Sequence, residues 1–573
     1  MKSIKIAFEL IKEASRKNKK FLLMLLANGL FVSLKSLAFL KLIESFTSYL
    51  TSKEALSPLI FAFVFYSLFR LMEEYLLTKL IKVGNEFIYL VEKELLRKSL
   101  TIPYEEIEDP AFFDLQQQAK FSLRNQYALE NMIEALIGSV EAVATVLVTA
   151  FVFAALSFEM GLVLLLIIFL NLGLRVFFSK KDDDFYKKLG PINTWIWFYQ
   201  YLPFEKERLL DIKANSMEKN ILQRYEKYIQ QTNRLFQSYY QRMGLQEGIS
   251  DLLNTLIFFL LFLRGIYGFY QGEFQLSHLS MILIGSIKMI EAFALIGEHA
   301  VDFWRYSMFS KPVVDFLKLE EEKEKKGEKF SEKKAIVAEN LSFGYGEKEV
   351  LKNINFSLDK NKLIVLIGEN GSGKSTLMKL IAGLYSPDEG TIQYGGVNTR
   401  DLAYSHMSPV FQKFTLLKDF TAYENMSGST DTNRKKVEDL LSTLAWERTF
   451  CFDRPLGSEI DESYIDLSKG QEQQTATLRA LYQDRDLFIL DEPSSAMDIE
   501  KERELYNTLV SLKDKKKVFL VSHRLTAVHQ ADEIWLIKKG ELFQYGSHEE
   551  AIKSSKTYRD LYHHYYASYE NIS

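Results

Sequence analysis

Lys362-Leu-Ile-Val-Leu-Ile367 runs straight into Gly368-Glu369-Asn370-Gly371-Ser372-Gly373-Lys374-Ser375-Thr376, and Leu377-Met378-Lys379-Leu380-Ile381-Ala382 follows. The first run is short and apolar, of strand type. The second fits G-x-x-x-x-G-K-[ST]. The third reads as the opening of a helix. Glycines let the backbone wrap closely enough for its N–H groups to face phosphate oxygens. The helix N-terminus adds positive dipole. Lys374 has the reach for the β- and γ-phosphates, and the Ser375 hydroxyl suits Mg²⁺. Gly368, Asn370, Gly371, Ser372, Gly373, Lys374, Ser375 and Thr376 are therefore expected to hold a nucleotide. The strand–loop–helix context predicts an α/β P-loop domain around them.

A second strand-like run, Asp486-Leu487-Phe488-Ile489-Leu490, ends in Asp491-Glu492. Carboxylates there sit at the C-terminal edge of a sheet, where α/β proteins bind ligands. Asp491 suits Mg²⁺. Glu492 suits activation of an attacking water, because a carboxylate accepts its proton. Alone, an acidic pair after a strand says little; behind the phosphate loop it completes a hydrolytic set.

Upstream, the chain changes character. Its 573 residues carry 71 Lys plus Arg against 75 Asp plus Glu, a net charge of −4. That balance argues against a general nucleic-acid binder. The single cysteine, Cys451, excludes an intrachain disulfide and a Cys-based zinc cluster. A hydrophobic content of 47% looks like that of a soluble protein, but the apolar residues are not evenly spread. Six long apolar stretches run near Phe21 to Leu40, Leu59 to Leu77, Ile137 to Leu156, Met160 to Phe178, Leu252 to Tyr270 and Leu276 to Leu295. Each approaches the ~20 residues a helix needs to cross a bilayer. Lys2, Lys5, Lys12, Arg16, Lys17, Lys19 and Lys20 precede the first, while the loop near Gly268 to His278 has no Lys or Arg. Positive residues mark the cytoplasmic side. The expectation is a multi-pass protein of the cytoplasmic membrane with both termini inside. Ile4, Phe8 and Ile11 share a helical face amid lysines, which suits an interfacial helix. Two long polar connections, Lys82 to Arg124 and Lys180 to Gly248, read as cytoplasmic extensions of the spans.

The domain expectation follows: residues 1–315 form an all-α transmembrane domain of six spans, 316–334 a charged linker, and 335–573 a P-loop nucleotide-binding domain. The chain opens close to its first span, and its one cysteine lies in the ATP-binding half, so no N-terminal cysteine peptidase is expected.

A third segment, Leu467-Ser468-Lys469-Gly470-Gln471, precedes Asp491 by about twenty residues. Here the chain resembles the ATP-binding-cassette (ABC) exporters, whose signature is L-S-G-G-Q. Lys469 departs from it, standing where the family usually has glycine. Gln471-Glu472-Gln473-Gln474 lacks the family's common Arg, and Arg479-Ala480-Leu481 restores the pattern. The resemblance extends over both halves and implies further roles. Tyr345 matches the adenine-stacking aromatic. Gln412 matches the glutamine that contacts Mg²⁺ and the membrane domain. Asp498, in Pro493-Ser494-Ser495-Ala496-Met497-Asp498, matches the dimer-facing loop, and His523 the histidine that touches the γ-phosphate. Ser468, Gly470 and Gln471 are implied to complete the nucleotide site of a second subunit. Glu492 and His523 become the implied catalytic pair, and Ser375, Gln412 and Asp491 the Mg²⁺ set. ATP and Mg²⁺ are the implied ligands.

By the same resemblance, Glu108 to Asp114 and Phe204 to Asn220 look like the segments that couple cassette and membrane domain. Asp109 to Gln118 and Leu456-Gly457-Ser458-Glu459 resemble the peptide (bacteriocin or lantibiotic) branch. The implied activity is ATP-driven export by alternating access, of a peptide or other amphipathic molecule. The alternatives are a multidrug or lipid exporter, or one subunit of a heterodimeric exporter. The expected partners are a second half-transporter, with a homodimer favoured, the lipid bilayer and the cargo. Lys35, Lys41, Arg70, Glu73, Glu74, Glu141, Arg264, Lys288 and Glu291 lie in the apolar stretches. Their mixed signs suit an amphipathic or zwitterionic cargo better than a simple ion.

Overall fold

The computed structural model describes residues 20–52, 55–204, 206–322, 335–402, 406–444, 446, 451–522 and 525–570. His523, the proposed interfacial face of Ile4, Phe8 and Ile11, and most of the expected linker lie outside the described residues. The chain falls into two compact units. One comprises Met1–Leu100 with Phe113–Leu319; the other comprises Thr101–Phe112 with Glu320–Ser573.

The first unit is helical: α1 (Lys20–Ser52), α2 (Ser57–Thr101), then, beyond α3 (Tyr104–Ile107), α4 (Pro110–Arg124), α5 (Ala128–Leu156), α6 (Phe158–Tyr201), α7 (Lys206–Ala214), α8 (Glu218–Tyr270), α9 (Leu276–Phe309) and α10 (Lys311–Leu317). α1, α5 and α9 pack on one another, and α6 packs on α8. The burial pattern is inverted relative to a soluble bundle. Leu23, Leu26, Phe61, Phe63, Leu147, Phe151, Phe169 and Leu252 face outward, while Asn28, Ser36, Thr149, Asn171, Asn254 and Ser286 are buried. An apolar exterior with polar groups inside is the arrangement lipid demands, since hydrocarbon offers no hydrogen bonds. The inner polar groups find one another: Asn171 accepts from Ser250 at 2.6 Å, and its amide donates to Asn254 at 3.4 Å.

Among the described residues, four helices are long and apolar enough to cross a membrane: Lys20–Thr51, Ala128–Leu156, Glu218–Tyr270 and Leu276–Leu317. This is fewer than the six stretches of the sequence. The second stretch falls within α2, where Arg70, Glu73 and Glu74 follow closely on the apolar run. The fourth falls within α6, where the apolar run that is described spans Phe158–Asn171.

The second unit carries two sheets. β1 (Ile336–Tyr345), β2 (Lys348–Leu358), β4 (Glu389–Tyr394) and β5 (Val397–Asn398) form an antiparallel sheet in the order β2-β1-β4-β5. β3 (Leu363–Ile367), β6 (Met407–Val410), β7 (Leu487–Asp491), β8 (Lys517–Val521), β9 (Glu533–Lys538) and β10 (Glu541–Tyr545) form the larger sheet, ordered β10-β9-β3-β8-β7-β6. Within it β9, β3, β8, β7 and β6 run parallel, and only β10 pairs antiparallel. β3, β7 and β8 are buried along their whole length, as continuous apolar runs covered on both faces should be. Two helices matter most for the site: α11 (Lys374–Ile381) after β3, and α14 (Lys469–Gln483) before β7.

Candidate functional site

The parallel order brings the sequence motifs to one edge. The glycine-rich loop follows β3, Asp491 ends β7, and Gln412 lies two residues past the end of β6. β8 stands between β3 and β7 and ends at Val521, just before the undescribed His523. The C-terminal ends of adjacent strands thus present the phosphate loop, the carboxylates and the glutamine in a row, as expected for an α/β ligand site.

The loop backbone is shaped by glycine. Gly368, Gly371 and Gly373 have φ of 151°, 78° and 111°, values that an L side chain resists. A Cβ at Gly368 would run into the Ile537 carbonyl, and one at Gly373 would meet Leu351 at 2.7 Å. Gly371 instead faces open space, leaving its side of the loop free for a ligand. Lys374 is buried, and its Nζ donates to the carbonyls of Gly368 and Glu369 at 2.9 and 3.0 Å, across the loop it opens. Burial pushes its ammonium below the usual lysine value, against the pull of Asp491 and Glu492. A desolvated ammonium facing a concave run of N–H groups calls for an anion.

Ser375 Oγ donates to Asp491 Oδ2 at 2.8 Å, so two of the three expected Mg²⁺ ligands already touch. Burial raises the Asp491 carboxyl, partly offset by the Ser375 hydrogen bond. Glu492 is held in the left-handed region at φ 50°, with its N–H donated to the Val521 carbonyl at 3.0 Å. A non-glycine residue in that region is a strained position of the kind found at functional sites. Gln412 Nε2 lies 3.5 Å from Glu492 Oε2. Ser372 Oγ is buried without a hydrogen-bond partner among the described residues, an orphan donor on the phosphate loop. The orphan hydroxyl, the curled lysine and the Ser375–Asp491 pair fit the triphosphate and Mg²⁺ of ATP.

Tyr345 ends β1 half-exposed, its hydroxyl 3.4 Å from Thr376 Oγ1 on α11. Its ring lies edge-on to Tyr385 at 5.7 Å, and Tyr385 in turn meets Tyr104 at 5.9 Å. Tyr104 opens α3, which belongs to this unit. Lys379 of α11 sits 5.3 Å from both the Tyr104 and Tyr385 rings and pairs with Glu108 at 2.8 Å. Burial works against the Glu108 carboxylate, yet hydrogen bonds from Lys379 and Tyr104 outweigh it and hold the carboxyl below its ordinary value. The segment around Glu108 is thereby fastened to the helix that starts at the phosphate loop. Of the expected aromatic anchors nearby, Phe112 is buried and Phe113 is exposed.

The signature segment builds the start of α14. Ser468 caps the helix, accepting from the Gln471 N–H, and Gln471 returns the bond to the Ser468 N–H at 2.8 Å. This capping box occupies the Gln471 side chain with holding the turn. Lys469 is the first helical residue. Its side chain is 81% exposed and pairs with Glu472 at 3.1 Å, so the extra side chain points into solvent. Gly470 is the tight position: a Cβ there would meet the Ala496 carbonyl at 2.9 Å. Asp498 caps α15 (Ile499–Leu512) by accepting from the Lys501 N–H, and that bond lowers its carboxyl.

Two residues have contacts to which the sequence reading assigned no role. Gln473 is buried, donates to the Glu492 carbonyl at 3.0 Å and to Ser495 Oγ at 3.1 Å, and accepts from the Ala496 N–H. It ties the signature helix to the loop behind Glu492. Arg479 reaches from the same helix to the Asn425 carbonyl at 2.7 Å. The available signal was a Gln on the face of α14 that otherwise buries Ala476, Ala480 and Leu481.

Residues 351–495 match the ABC transporter family. The chain is 27% identical to the subtilin transport ATP-binding protein SpaT of Bacillus subtilis, over 82% of this chain and 79% of that one. It is 30% identical to an ATP-dependent lipid A-core flippase of Mannheimia succiniciproducens, over 56% of this chain and 57% of the relative. Its fold matches the structure of a bacterial Atm1-family ABC exporter with ATP bound at a TM-score of 0.80 and 16% identity, over 95% of this chain and 98% of the other.

Proposed function

We propose that this chain, an ABC-transporter fusion of a helical membrane domain and an ATP-hydrolysing cassette, is one half of an exporter that moves a peptide or other amphipathic molecule out across the cytoplasmic membrane. The observation that carries the reading is the row of groups along the strand ends, with Gln412, Glu492, Asp491, Ser375 and Lys374 side by side and Lys379 fastened to Glu108 behind them.

The residues divide the work by position. The N–H groups of the 368–376 loop and Lys374 bind the β- and γ-phosphates. Tyr345 offers its exposed face to the adenine. Ser375 and Asp491 hold Mg²⁺, with Gln412 beside them; the ion supplies neutralisation of phosphate charge when bound. Glu492 accepts the proton of the attacking water, and Gln412, at 3.5 Å, orients that carboxylate. His523 follows the neighbouring strand and is assigned to the γ-phosphate. Ser468 and Gly470 lie at the exposed start of α14 and face the nucleotide of a second copy, which makes the working unit a dimer. ATP then joins two cassettes, and its hydrolysis releases them, the two-state element that alternating access requires. Six crossings with both termini inside complete the topology.

The near full-length likeness to a subtilin transporter, together with the segments at 109–118 and 456–459, supports a peptide cargo. A lipid or multidrug cargo is the second reading, favoured by the higher identity to the lipid A-core flippase, which is confined to just over half of that relative. ATPase assays with peptide, lipid and drug panels separate the two. Stimulation by peptides alone supports the first reading, and stimulation by lipids alone overturns it.

A further inference from the structure

Two charged pairs stand inside the membrane domain. Lys35 of α1 meets Glu73 of α2 at 2.5 Å. Asn28, two turns earlier on α1 and fully buried, donates its amide N–H to Glu141 of α5 at 2.8 Å. The pairs belong together. Phe31 against Phe69 and Phe39 against Tyr66 clamp α2 to α1 on either side of Lys35. Glu141 feels the charges of Glu73, Lys35 and His299. His299 of α9 lies against Gly138, one turn from Glu141, where there is no room for a Cβ. At about 1.5 Å of rise per residue, Lys35, Glu73 and Glu141 lie roughly 23 to 26 Å from the helix ends at Ser52, Ser57 and Leu156, and so at one depth.

The donors and acceptors do not balance. Lys35 and Arg70 face Glu73, Glu74 and Glu141, with the His299 ring also near Glu141, which leaves one carboxylate without a lysine or arginine of its own. Lys35 is spent on Glu73, and the Asn28 amide N–H on Glu141. Asn28 Oδ1 is buried with no partner among the described residues, and no ion pair to Glu141 forms among them. Lys288 of α9 lies over the Phe39 ring at 4.4 Å. What is left is a carboxylate and an amide oxygen side by side, both acceptors, in a region where buried charge is costly unless matched.

We propose that Asn28 and Glu141, flanked by the Lys35–Glu73 pair and His299, form a binding site for a hydrogen-bonding cation on the cargo, a primary ammonium or guanidinium group. Such a group carries the positive charge Glu141 lacks and several N–H donors, enough for the carboxylate and Asn28 Oδ1 together. The Lys35–Glu73 pair serves as the neutral wall that keeps Lys35 from closing on Glu141. This site rests on the export reading above and narrows its cargo to molecules bearing such a cation.

The test is equilibrium binding of fluorescent probes to the full-length protein in nanodiscs, with empty nanodiscs subtracted. The probes are an amphipathic peptide with one lysine, the same peptide with that lysine acetylated, dodecylammonium, and dodecanol. The wild type should prefer the lysine peptide to its acetylated form by about tenfold or more, the scale of an unpaired buried charge. E141Q should abolish that preference, and K35Q, which exposes Glu73, should enlarge it. A structural role alone does not move two variants in opposite directions. Thermal unfolding checks that both variants fold; if E141Q does not, K35Q alone decides, and an unchanged or smaller preference overturns the site. Equal binding of the two peptides leaves peptide export standing and overturns the site. A Glu141-dependent preference for dodecylammonium over dodecanol, without peptide binding, keeps the site and overturns the peptide cargo. No cation preference in any probe overturns the site.

Discussion

Glu492 and Lys469 mark what a single residue can decide. Glu492 combines positive φ, a nearby glutamine and a place beside the Ser375–Asp491 pair. Its replacement by Gln keeps the shape and removes the base, so ATP turnover of the purified protein should fall by roughly a hundredfold or more, while nucleotide binding persists. Equal turnover in the two proteins would remove Glu492 from the chemistry. Lys469 departs in the sequence from the usual glycine of the signature. The fold shows why the position accepts it: it is an ordinary first helical residue with its side chain in solvent, and the steric demand falls on Gly470. Lys469→Gly should therefore change ATP turnover less than about threefold, a surface-scale effect. Gly470→Ala should lower turnover strongly, because its methyl meets the Ala496 carbonyl. The opposite order of severity in the same assay would place the demand on position 469. The motif residues were legible in the sequence because each carries its own chemistry. Gln473 was not, because its role arises only when α14 is laid beside the loop after β7.

At the scale of elements, the strands and the phosphate-loop helix followed from apolar runs and glycine spacing, since both are local signals. The antiparallel sheet β2-β1-β4-β5 was not read: the β1–β2 hairpin runs through shifted registers, and β1 pairs with β4, which is distant in sequence. The docking of Thr101–Phe112 onto the cassette was half legible. Glu108 to Asp114 drew attention as a segment, yet the contacts around Glu108 are completed by Tyr104, Lys379 and Tyr385, to which no motif assigns that role. These contacts place a line of rings between Tyr345 and the segment. Glu108→Gln should keep basal ATP hydrolysis and lose its stimulation by cargo; full stimulation in the variant would contradict a coupling role. The pair also has a pH signature. Glu108 is held below its ordinary value, so its contribution is complete at neutral pH and is lost as pH falls through the lowered value. Wild type should exceed Glu108→Gln in stability by about 0.5–1 kcal/mol at neutral pH, as a half-exposed pair allows. The gap in thermal unfolding should close in acid, and a gap that persists there would assign the stability to something other than this pair.

At the scale of the whole molecule, composition misled and distribution informed. An average hydrophobic content concealed a helical unit with lipid-facing Leu and Phe and a separate α/β unit. Among the described residues, four helices are long and apolar enough to span. In α2, Arg70, Glu73 and Glu74 interrupt the apolar run, and of these Glu73 pairs with Lys35. The proposed dimer rests on the exposed Ser468 at the start of α14. Mixing wild type with Glu492→Gln copies should lower activity more steeply than the wild-type fraction; a linear fall would mean that each copy hydrolyses alone. The account rests above all on ATP-driven export. Its most direct test is uptake of a fluorescent lysine-bearing amphipathic peptide into inverted membrane vesicles. ATP-dependent accumulation by the wild type, absent with Glu492→Gln, is the predicted result. Equal accumulation with and without ATP, or in both proteins, would contradict it.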